Sequence, residues 1–272
     1  MEKSENIKFE KNSFGRRMKS MLAVDFRRMF TMRLFYIMAA IALVIPILVL
    51  VMTTTVGGTK VDPVTGVETV SEAEPFTNTW QAVESIKGES SGMSSDIMNM
   101  CNINLLYFMA AVFVCVFVAD DFRSGYAKNL FAVRAKKTDY VVSKTLAGFV
   151  GGAGMVLAYL AGAVIGGAIA GLSFDAGVAG VAGIVMCLLS KILLMAVFVP
   201  IFVALSVVGK QKLWISLVGS FCIGMLFFMM IPMLTPLNSG IGNVMICLIG
   251  GVLFSVGLGA VSNLVLKKTS LV

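Results

Sequence analysis

Six long stretches of apolar residues, separated by polar segments, dominate this chain of 272 residues. Charged side chains are almost absent from the stretches, which lie at roughly 34–56, 97–119, 141–171, 176–208, 213–236 and 241–266. Each stretch reaches or exceeds the ~20 residues that an α-helix needs to cross about 30 Å of hydrocarbon. The pattern predicts an all-α, polytopic membrane protein with six transmembrane helices in a single domain, 33–272.

The basic residues fall on alternate sides of these predicted spans. Of the 22 Lys and Arg, nine precede the first stretch, six lie within 120–144, and four follow the fourth and sixth stretches. The segments between these groups hold only Lys60 and Lys87 against eight acids. Because an excess of Lys and Arg marks cytoplasmic loops, we expect a multi-pass protein of the cell membrane. Both termini are expected in the cytoplasm and the loop 57–96 outside.

The loop 57–96 is the only large segment predicted outside the membrane. Its acids would be repelled by a negative membrane surface and would keep it solvated. A short helix is expected at 77–86, with Trp80 at the membrane interface. A receptor or gating role and a plain connector are equally open for this loop.

A basic, amphipathic pattern precedes the first span. Apolar residues of 14–32 recur at helical spacing on one face, and most of the Arg and Lys fall on the rest. Such a helix lies in the membrane interface, with its basic groups on anionic lipid headgroups. The alternative is a cytoplasmic helix that packs on soluble protein. Residues 1–13 are expected to form a polar cytoplasmic tail.

Composition agrees with a membrane protein and narrows its chemistry. Hydrophobic residues make up 58% of the chain and charged residues 14%, with a mean hydropathy of +0.91, which is too apolar for a soluble domain. The net charge of +7 lies beside the spans, which favours anionic lipids over nucleic acid as partners. The five cysteines are scattered singly and histidine is absent. We therefore expect neither a disulfide framework nor a Cys/His metal site.

Glycines crowd the third and fourth spans at four-residue spacing, as in the pairs Gly148/Gly152 and Gly162/Gly166. Small residues at this spacing let helices approach closely within a membrane. Packing within the subunit is expected here, and a dimer contact or a substrate surface is the alternative.

The segment 120–140, after the second span, combines acidic, basic, glycine and aromatic residues. Asp120 and Asp121 end the span, where a carboxylate is costly unless it is paired or lies at the headgroups. A plain cytoplasmic loop would explain the basic residues, but not these two acids. We expect a short helix bent away from the membrane, with exposed aromatic groups that suit docking to a partner protein. The other candidate docking residues are Arg123, Gly125, Tyr126, Lys128, Leu130 and Phe131.

This layout resembles that of ABC-2 type transporter permeases. The likeness rests on the interfacial helix, the outer loop after the first span, and the order acid, glycine, basic residues and Ser-Lys after the second span. The resemblance implies that Asp121 and Gly125 lie in the family's coupling helix and that Lys144 is the lysine that opens the third span. The family often has Glu at the position of Asp121, so a salt bridge here would have a shorter reach.

The resemblance also implies an ATP-driven exporter with two permease subunits, identical or related, and separate cytoplasmic ATPase subunits. The chain has no GxxxxGK[ST] loop that could hold a nucleotide. It is therefore not expected to be an enzyme or to bind a cofactor itself, and ATP and Mg are expected in the ATPase partner. An amphipathic or hydrophobic substrate, such as an antimicrobial peptide or a drug, fits the apolar interior.

Lys191 is the one ionisable residue deep within a predicted span, and such residues are usually structural partners or line a cavity. Three roles are open: bonding to backbone carbonyls or Ser190, snorkelling along a tilted helix, and contact with a cavity or substrate. Lys144 is a second candidate for a cavity or structural role.

Two rival functions compete with the exporter. A secondary transporter driven by an ion gradient usually places acids near the midplane of the membrane, and no acid lies within the other spans to pair with Lys191. A noncatalytic membrane subunit that senses a peptide or confers immunity to it is the second rival.

Overall fold

The computed structural model describes residues 14–52, 58–61, 68–71, 76–84, 102–132, 136–177, 180–209, 212–228 and 230–268. The predicted tail 1–13 and most of the loop 57–96 lie outside these residues. The described α-helices are α1 (Phe14–Thr31), α2 (Arg33–Met52), α3 (Leu106–Arg123), α4 (Tyr126–Ala132), α5 (Lys137–Ala170), α6 (Gly180–Gly209), α7 (Leu213–Phe228), α8 (Ile231–Leu234) and α9 (Ile241–Lys268).

A small hairpin and two 3-10 helices complete the described structure. Strand β1 (Gly58–Val61) pairs antiparallel with β2 (Glu68–Ser71). One 3-10 helix covers Thr79–Ala82, where the sequence predicts a short helix at 77–86, and the other, Ile103–Leu105, leads directly into α3. The fold class is all-α, as predicted, with this hairpin as its β-structure in the described part of the chain.

Five of the described helices are long and apolar enough to cross a membrane: α2, α3 with its leading 3-10 turn, α5, α6 and α9. The sequence predicts six, and the difference lies in the stretch 213–236. There α7 has 16 residues, which span about 24 Å. A proline within a helix kinks or breaks it, because its ring clashes with the carbonyl group four residues earlier. For Pro232 that residue is Phe228, where α7 ends.

Helices α3 and α6 form the centre of the bundle, and most of their side chains are buried. Aromatic rings fill this centre. Phe113 stacks on Phe117 with ring centroids 5.8 Å apart, and Tyr107 packs on Phe198 at 4.7 Å. By contrast, few side chains of α2 and α9 are buried, and both helices expose many large apolar side chains. Large exposed apolar faces are rare on soluble proteins and are typical of helices that face lipid.

Gly162 and Gly166 bring α5 into close contact with α2. A Cβ atom at Gly162 would overlap the carbonyl oxygen of Leu43, and one at Gly166 would lie 2.8 Å from the Cα atom of Ile47. The close packing predicted from the four-residue spacing is therefore confirmed for this pair of glycines, and the contact lies within the chain.

Gly125 makes the turn between α3 and α4. Its φ of +73° lies in the left-handed region, which costs other residues roughly 1–2 kcal/mol. The backbone N–H of Ser124 donates to the carbonyl oxygen of Asp120 at 2.9 Å and ends α3. The turn redirects the chain, so that the helix expected after the second predicted span is the short helix α4.

Candidate functional site

Four charged side chains meet where α1, α3 and α5 converge, and we call them the Asp121 cluster. Asp25 and Arg28 belong to α1, Asp121 to the last turn of α3, and Lys144 to the first part of α5. The side chains of Asp25, Asp121 and Lys144 are 0% exposed. Charges are therefore concentrated in the interior at one end of an otherwise apolar bundle.

Lys144 lies between two carboxylates. Its Nζ atom is 2.8 Å from Asp25 Oδ1 and 2.7 Å from Asp121 Oδ2. Both are close ion contacts between fully buried groups. The ammonium group also lies 3.8 Å from the ring centroid of Phe117, within the range of a cation–π interaction. Arg28 completes the cluster through its Nη1 atom, which donates to Asp121 Oδ1.

Hydroxyl groups bind the same two carboxylates. Ser143 Oγ donates to Asp25 Oδ2 at 2.5 Å, and the Tyr140 hydroxyl donates to Asp121 Oδ2 at 2.9 Å. Each carboxylate therefore has both a cation and a hydrogen-bond donor. With two acids and two bases the cluster is neutral, which is the condition under which buried charges are tolerated.

The charge of Arg28 is stabilised by its surroundings. Burial alone would lower the pKa of this guanidinium group, but the carboxylates of Asp121 and Asp25 outweigh burial and raise the pKa above its ordinary value. Arg28 therefore stays protonated across the physiological range. Asp121 consequently keeps a cationic partner at every pH at which the cell lives.

Aromatic contacts attach α4 to the bundle. The guanidinium carbon of Arg28 lies 4.3 Å from the ring centroid of Tyr126. Phe131 packs edge-on against Tyr140, with centroids 5.4 Å apart. Tyr126, Leu130 and Phe131 are only partly exposed. The predicted patch of exposed aromatic groups is therefore wrong, because these side chains hold α4 against its neighbours.

The exposed groups near α4 are polar. Asp120, Arg123 and Lys128 are exposed, and Asp120 Oδ2 lies 3.4 Å from Arg28 Nη2. Of the eight residues predicted for the coupling site, these three lie on the surface. Asp121 lies in the buried cluster, Gly125 forms the turn, and the other three hold α4 in place.

A second ion pair links α1 to α5. Arg17 Nε lies 2.9 Å from Asp139 Oδ2, and the Asp139 side chain is 5% exposed. The buried face of α1 is formed by Met21, Asp25 and Met29, at four-residue spacing. One face of α1 thus packs along the bundle. Its exposed face carries Arg16, Lys19 and Arg27.

A second group of polar side chains lies towards the opposite end of the bundle, and we call it the Glu84 cluster. Lys191 Nζ on α6 lies 2.7 Å from Glu84 Oε2, 2.8 Å from Asn104 Oδ1 and 3.1 Å from Thr235 Oγ1. All four residues are buried. Asn104 Nδ2 also donates to Glu84 Oε2 at 3.3 Å, so the carboxylate and the ammonium group share a common neighbour.

The Glu84 cluster corrects the sequence-based expectations for Lys191. Its ammonium group binds a carboxylate and two polar side chains, in place of backbone carbonyls or Ser190. Snorkelling is also wrong, because the side chain is 1% exposed. The partner carboxylate comes from the segment before α3 and not from a predicted span. Glu84 lies in the predicted outer loop, so the acids of the spans give no indication of this pair.

Three of the six charged residues in the two clusters were not predicted from the sequence. Asp25 is the only acid in 14–32 and lies between Met21 and Met29 on the buried face, so its position was a readable signal of a buried ion pair. Arg28 is one of several basic residues on the same helix, and Glu84 is one of seven acids in its loop. Neither stands out in the sequence.

The chemistry of both clusters is ion pairing. Among the described residues, no group of three or more His, Cys, Asp and Glu side chains could hold a metal ion. The carboxylates of the two clusters are already neutralised by Lys144, Arg28 and Lys191. Such groups suit the mechanical linkage of helices better than the binding of a cofactor.

Comparison of the chain with protein-family models, with curated proteins and with solved structures finds no match in any of the three. Its function is therefore inferred from the sequence pattern and from the geometry of the two clusters.

Proposed function

We propose that the chain is the permease subunit of an ATP-driven exporter of the ABC-2 type, powered by a separate ATPase subunit. The observation that carries this proposal is the attachment of α4. Its Tyr126 lies on Arg28, and Arg28 and Lys144 both bind Asp121. One short surface helix is thereby linked to α1, α3 and α5.

The Asp121 cluster suits the transmission of force. Removing one partner from a buried ion pair typically costs about 3–5 kcal/mol, so the three helices move as a unit when α4 is displaced. A solvated loop whose charges served only to orient the protein in the membrane would not need buried ion pairs between helices. It would leave no reason for Asp25, Asp121 and Lys144 to be fully buried together.

The proposed topology has six spans. Helices α7 and α8 together form the fifth, since α8 continues the apolar stretch beyond the break at Pro232. The Asp121 cluster then faces the cytoplasm with both termini, and the Glu84 cluster lies towards the outside. This orientation follows from the distribution of Lys and Arg.

Helix α1 is proposed to lie at the inner membrane surface. Its buried face packs on the bundle, while Lys19 and Arg27 are exposed, where basic side chains suit contact with anionic headgroups. Since Asp25 and Arg28 on the same helix contact the Asp121 cluster, movement of α4 would also shift α1 in the interface.

ATP and Mg are proposed to bind the ATPase partner, which docks on the exposed polar side of α4. That side carries Lys128 and Asn129, both exposed. A second permease subunit, identical or related, would complete the path. The apolar helices α2 and α9 suit an amphipathic or hydrophobic substrate, such as a peptide or a drug, that enters from the membrane.

Co-purification in mild detergent tests this proposal. We expect the chain to retain a polypeptide that hydrolyses ATP. The double variant Lys128→Glu/Asn129→Ala should lose this partner, because it alters the exposed side of α4 without touching the buried cluster. Lys136→Glu, an equally exposed change just before α5, is the matched control and should retain it. Transport by the purified chain alone, with no ATPase present, would contradict the proposal.

One observation favours a second candidate function. An ion-gradient-driven transporter needs a buried acid that can respond to an ion, and the Glu84 carboxylate meets Lys191 within the bundle. The sequence disfavours this candidate because no Asp or Glu lies within the other predicted spans. Transport that persists without ATP but stops when the proton gradient is collapsed would favour it over the exporter.

A further inference from the structure

The segment 76–84 enters the bundle at the end opposite the Asp121 cluster. Its Thr79, Ala82, Val83 and Glu84 are all buried. The 3-10 helix Thr79–Ala82 is closed by a capping box, which makes it a compact unit. Buried chain of this kind is unusual for a connecting loop, which normally runs over the surface.

Close contacts hold the segment against α5. The Tyr159 hydroxyl donates to the carbonyl oxygen of Ala82 at 3.0 Å. A Cβ atom at Gly167 would overlap the side chain of Thr79, so glycine is what allows the segment to lie this close to the helix. Ala82 also belongs to a small buried apolar cluster with Ala163 of α5 and Leu50 of α2.

Other anchors of the segment are hydrogen bonds to the loop that follows α5. Thr79 N donates to Ser173 O at 3.0 Å, Asn78 Nδ2 to Asp175 O at 2.7 Å, and Trp80 Nε1 to Phe174 O at 3.2 Å. The last two are exposed, so water can replace them at little net cost. These hydrogen bonds favour the position of the segment within the bundle but do not by themselves fix it there.

The strongest link between the segment and the bundle is the buried ion pair at the end of the segment. Lys191 Nζ lies 2.7 Å from Glu84 Oε2, and Asn104 and Thr235 bind the same ammonium group. The pair therefore joins the segment to α6, to the 3-10 turn that leads into α3, and to the end of α8. Four segments of the chain at this end are thereby tied to one cation.

Ionic groups at this position suggest a device with two states. A permanent seal would be served as well by apolar side chains, which often equal or exceed a buried ion pair in stability. The attraction between two charges falls about fourfold when the effective dielectric constant rises from about 20 to that of water. The pair is therefore strong while the end is dry and weak once water enters.

We propose that the segment 76–84 is a plug that closes this end of the bundle, with the Lys191–Glu84 ion pair as its latch. Release of the pair lets the plug leave and opens the interior to water. Opening and closing by this plug rest on the proposed transport function, in which the outer end of the bundle must open once in each cycle. The latch itself can be tested without the ATPase.

Cys187 is a native reporter for the opening of the plug. It lies on α6 one turn before Lys191, is buried, and its Sγ donates to Thr235 O at 3.4 Å. Because its neighbour Thr235 also binds Lys191, we expect water to reach Cys187 when the Glu84 cluster comes apart. A chain with Cys187 as its sole cysteine is obtained by replacing Cys101, Cys115, Cys222 and Cys247 with alanine.

The experiment measures the rate at which a hydrophilic methanethiosulfonate reagent modifies Cys187 in the purified chain in lipid nanodiscs, where both faces are accessible. We expect Glu84→Gln to raise this rate about tenfold or more, since one member of a buried ion pair is lost. Asp175→Asn neutralises an exposed acid in the neighbouring loop. It keeps the backbone carbonyl that accepts from Asn78 and a side-chain oxygen for Gly177 N, so it should leave the rate unchanged. If Glu84→Gln does not accumulate, Glu84→Asp, which shortens the carboxylate by one methylene group, replaces it.

A disulfide distinguishes release of the plug from general loosening. Asn78 and Ser173 are paired in a parallel bridge, close enough for a disulfide after a small adjustment. In the background of Glu84→Gln, oxidised Asn78→Cys/Ser173→Cys should return the rate at Cys187 to that of the parent. Reduction of this disulfide, with the reductant removed before labelling, should raise the rate again. Mass spectrometry of the peptides separates the label on Cys187 from label on the two introduced thiols.

An unchanged rate in Glu84→Gln would overturn the latch, and a raised rate that the disulfide does not lower would overturn the plug. Neither result depends on whether an ATPase partner exists. Failure of the co-purification test would therefore leave this conclusion intact, and the two proposals can fail separately.

Discussion

Removing the central cation of the Asp121 cluster should destabilise the protein strongly. In Lys144→Met the replacement fills similar space, but the carboxylates of Asp25 and Asp121 lose an ammonium group that lay 2.8 and 2.7 Å away. At an effective dielectric constant of about 20, each contact represents about 6 kcal/mol of gross attraction. Arg28 still binds Asp121, whereas Asp25 keeps the hydroxyl group of Ser143 as its donor and has no cation in contact within the cluster.

The net loss is smaller than the gross attraction because the lysine no longer has to be buried. Removing one partner of a buried pair usually lowers the free energy of unfolding by about 3–5 kcal/mol, and we expect a loss in this range for Lys144→Met. Lys128→Met, an exposed change on α4, should stay within about 0.5 kcal/mol of the parent. Both are measured by denaturant unfolding of the purified chain in detergent micelles.

A second substitution identifies the cause of the loss. Asp25→Asn removes the carboxylate that Lys144→Met leaves without a cation, so the double variant should be more stable than Lys144→Met alone. Coupling of about 0.5–3 kcal/mol is typical for residues in contact. If Lys144→Met were as stable as Lys128→Met, or if the two changes were simply additive, the cluster would not be the buried ionic linkage described above.

Two glycines provide further predictions of stability. Gly125→Ala should lower the unfolding free energy by roughly 1–2 kcal/mol because of its left-handed φ. Gly15→Ala, in α1 with open space around it, should not lower this free energy. Equal effects of the two substitutions would exclude backbone strain as the reason. Gly162→Leu should separate α2 from α5 and cost about 1–3 kcal/mol or more, while Gly257→Leu, on α9 with open space around it, should be tolerated. Thermal unfolding in detergent compares each pair, and a stable Gly162→Leu would contradict the close approach of the two helices.

The helices could be predicted from the sequence because a chain that crosses a lipid bilayer has few possible backbone structures. A backbone within hydrocarbon must satisfy its hydrogen bonds internally, so each long apolar stretch corresponds to a helix. The exception is instructive. The stretch 213–236 is apolar throughout, but Pro232 divides it into α7 and α8, and hydropathy alone does not register the break.

The clusters could be predicted only in part. Asp121 and Lys144 stand out because charges are rare at the ends of apolar stretches, and both prove to be members of one cluster. Their partners lie far away in sequence. The contact of Asp25 with Lys144 spans α1 and α5, and that of Glu84 with Lys191 joins a loop to α6. Pairing across such distances depends on the tertiary packing, which no local pattern encodes.

The same limit explains the error at α4. Alternating aromatic and basic residues suggest an exposed docking surface, yet Tyr126 and Phe131 contact Arg28 and Tyr140. Aromatic side chains favour burial wherever a neighbouring surface is available, and the turn at Gly125 supplies one by folding α4 back onto the bundle.

The central claim is that α4 receives force from an ATPase. Its most direct test is a photo-crosslinking amino acid placed at Asn129, which is exposed on α4, and as a control at Phe174, which is exposed in the loop between α5 and α6. We expect light to join Asn129, and not Phe174, to a polypeptide that is itself labelled by an azido analogue of ATP. A transport-competent chain that forms no such nucleotide-binding adduct at Asn129, or forms it equally at Phe174, would contradict the account.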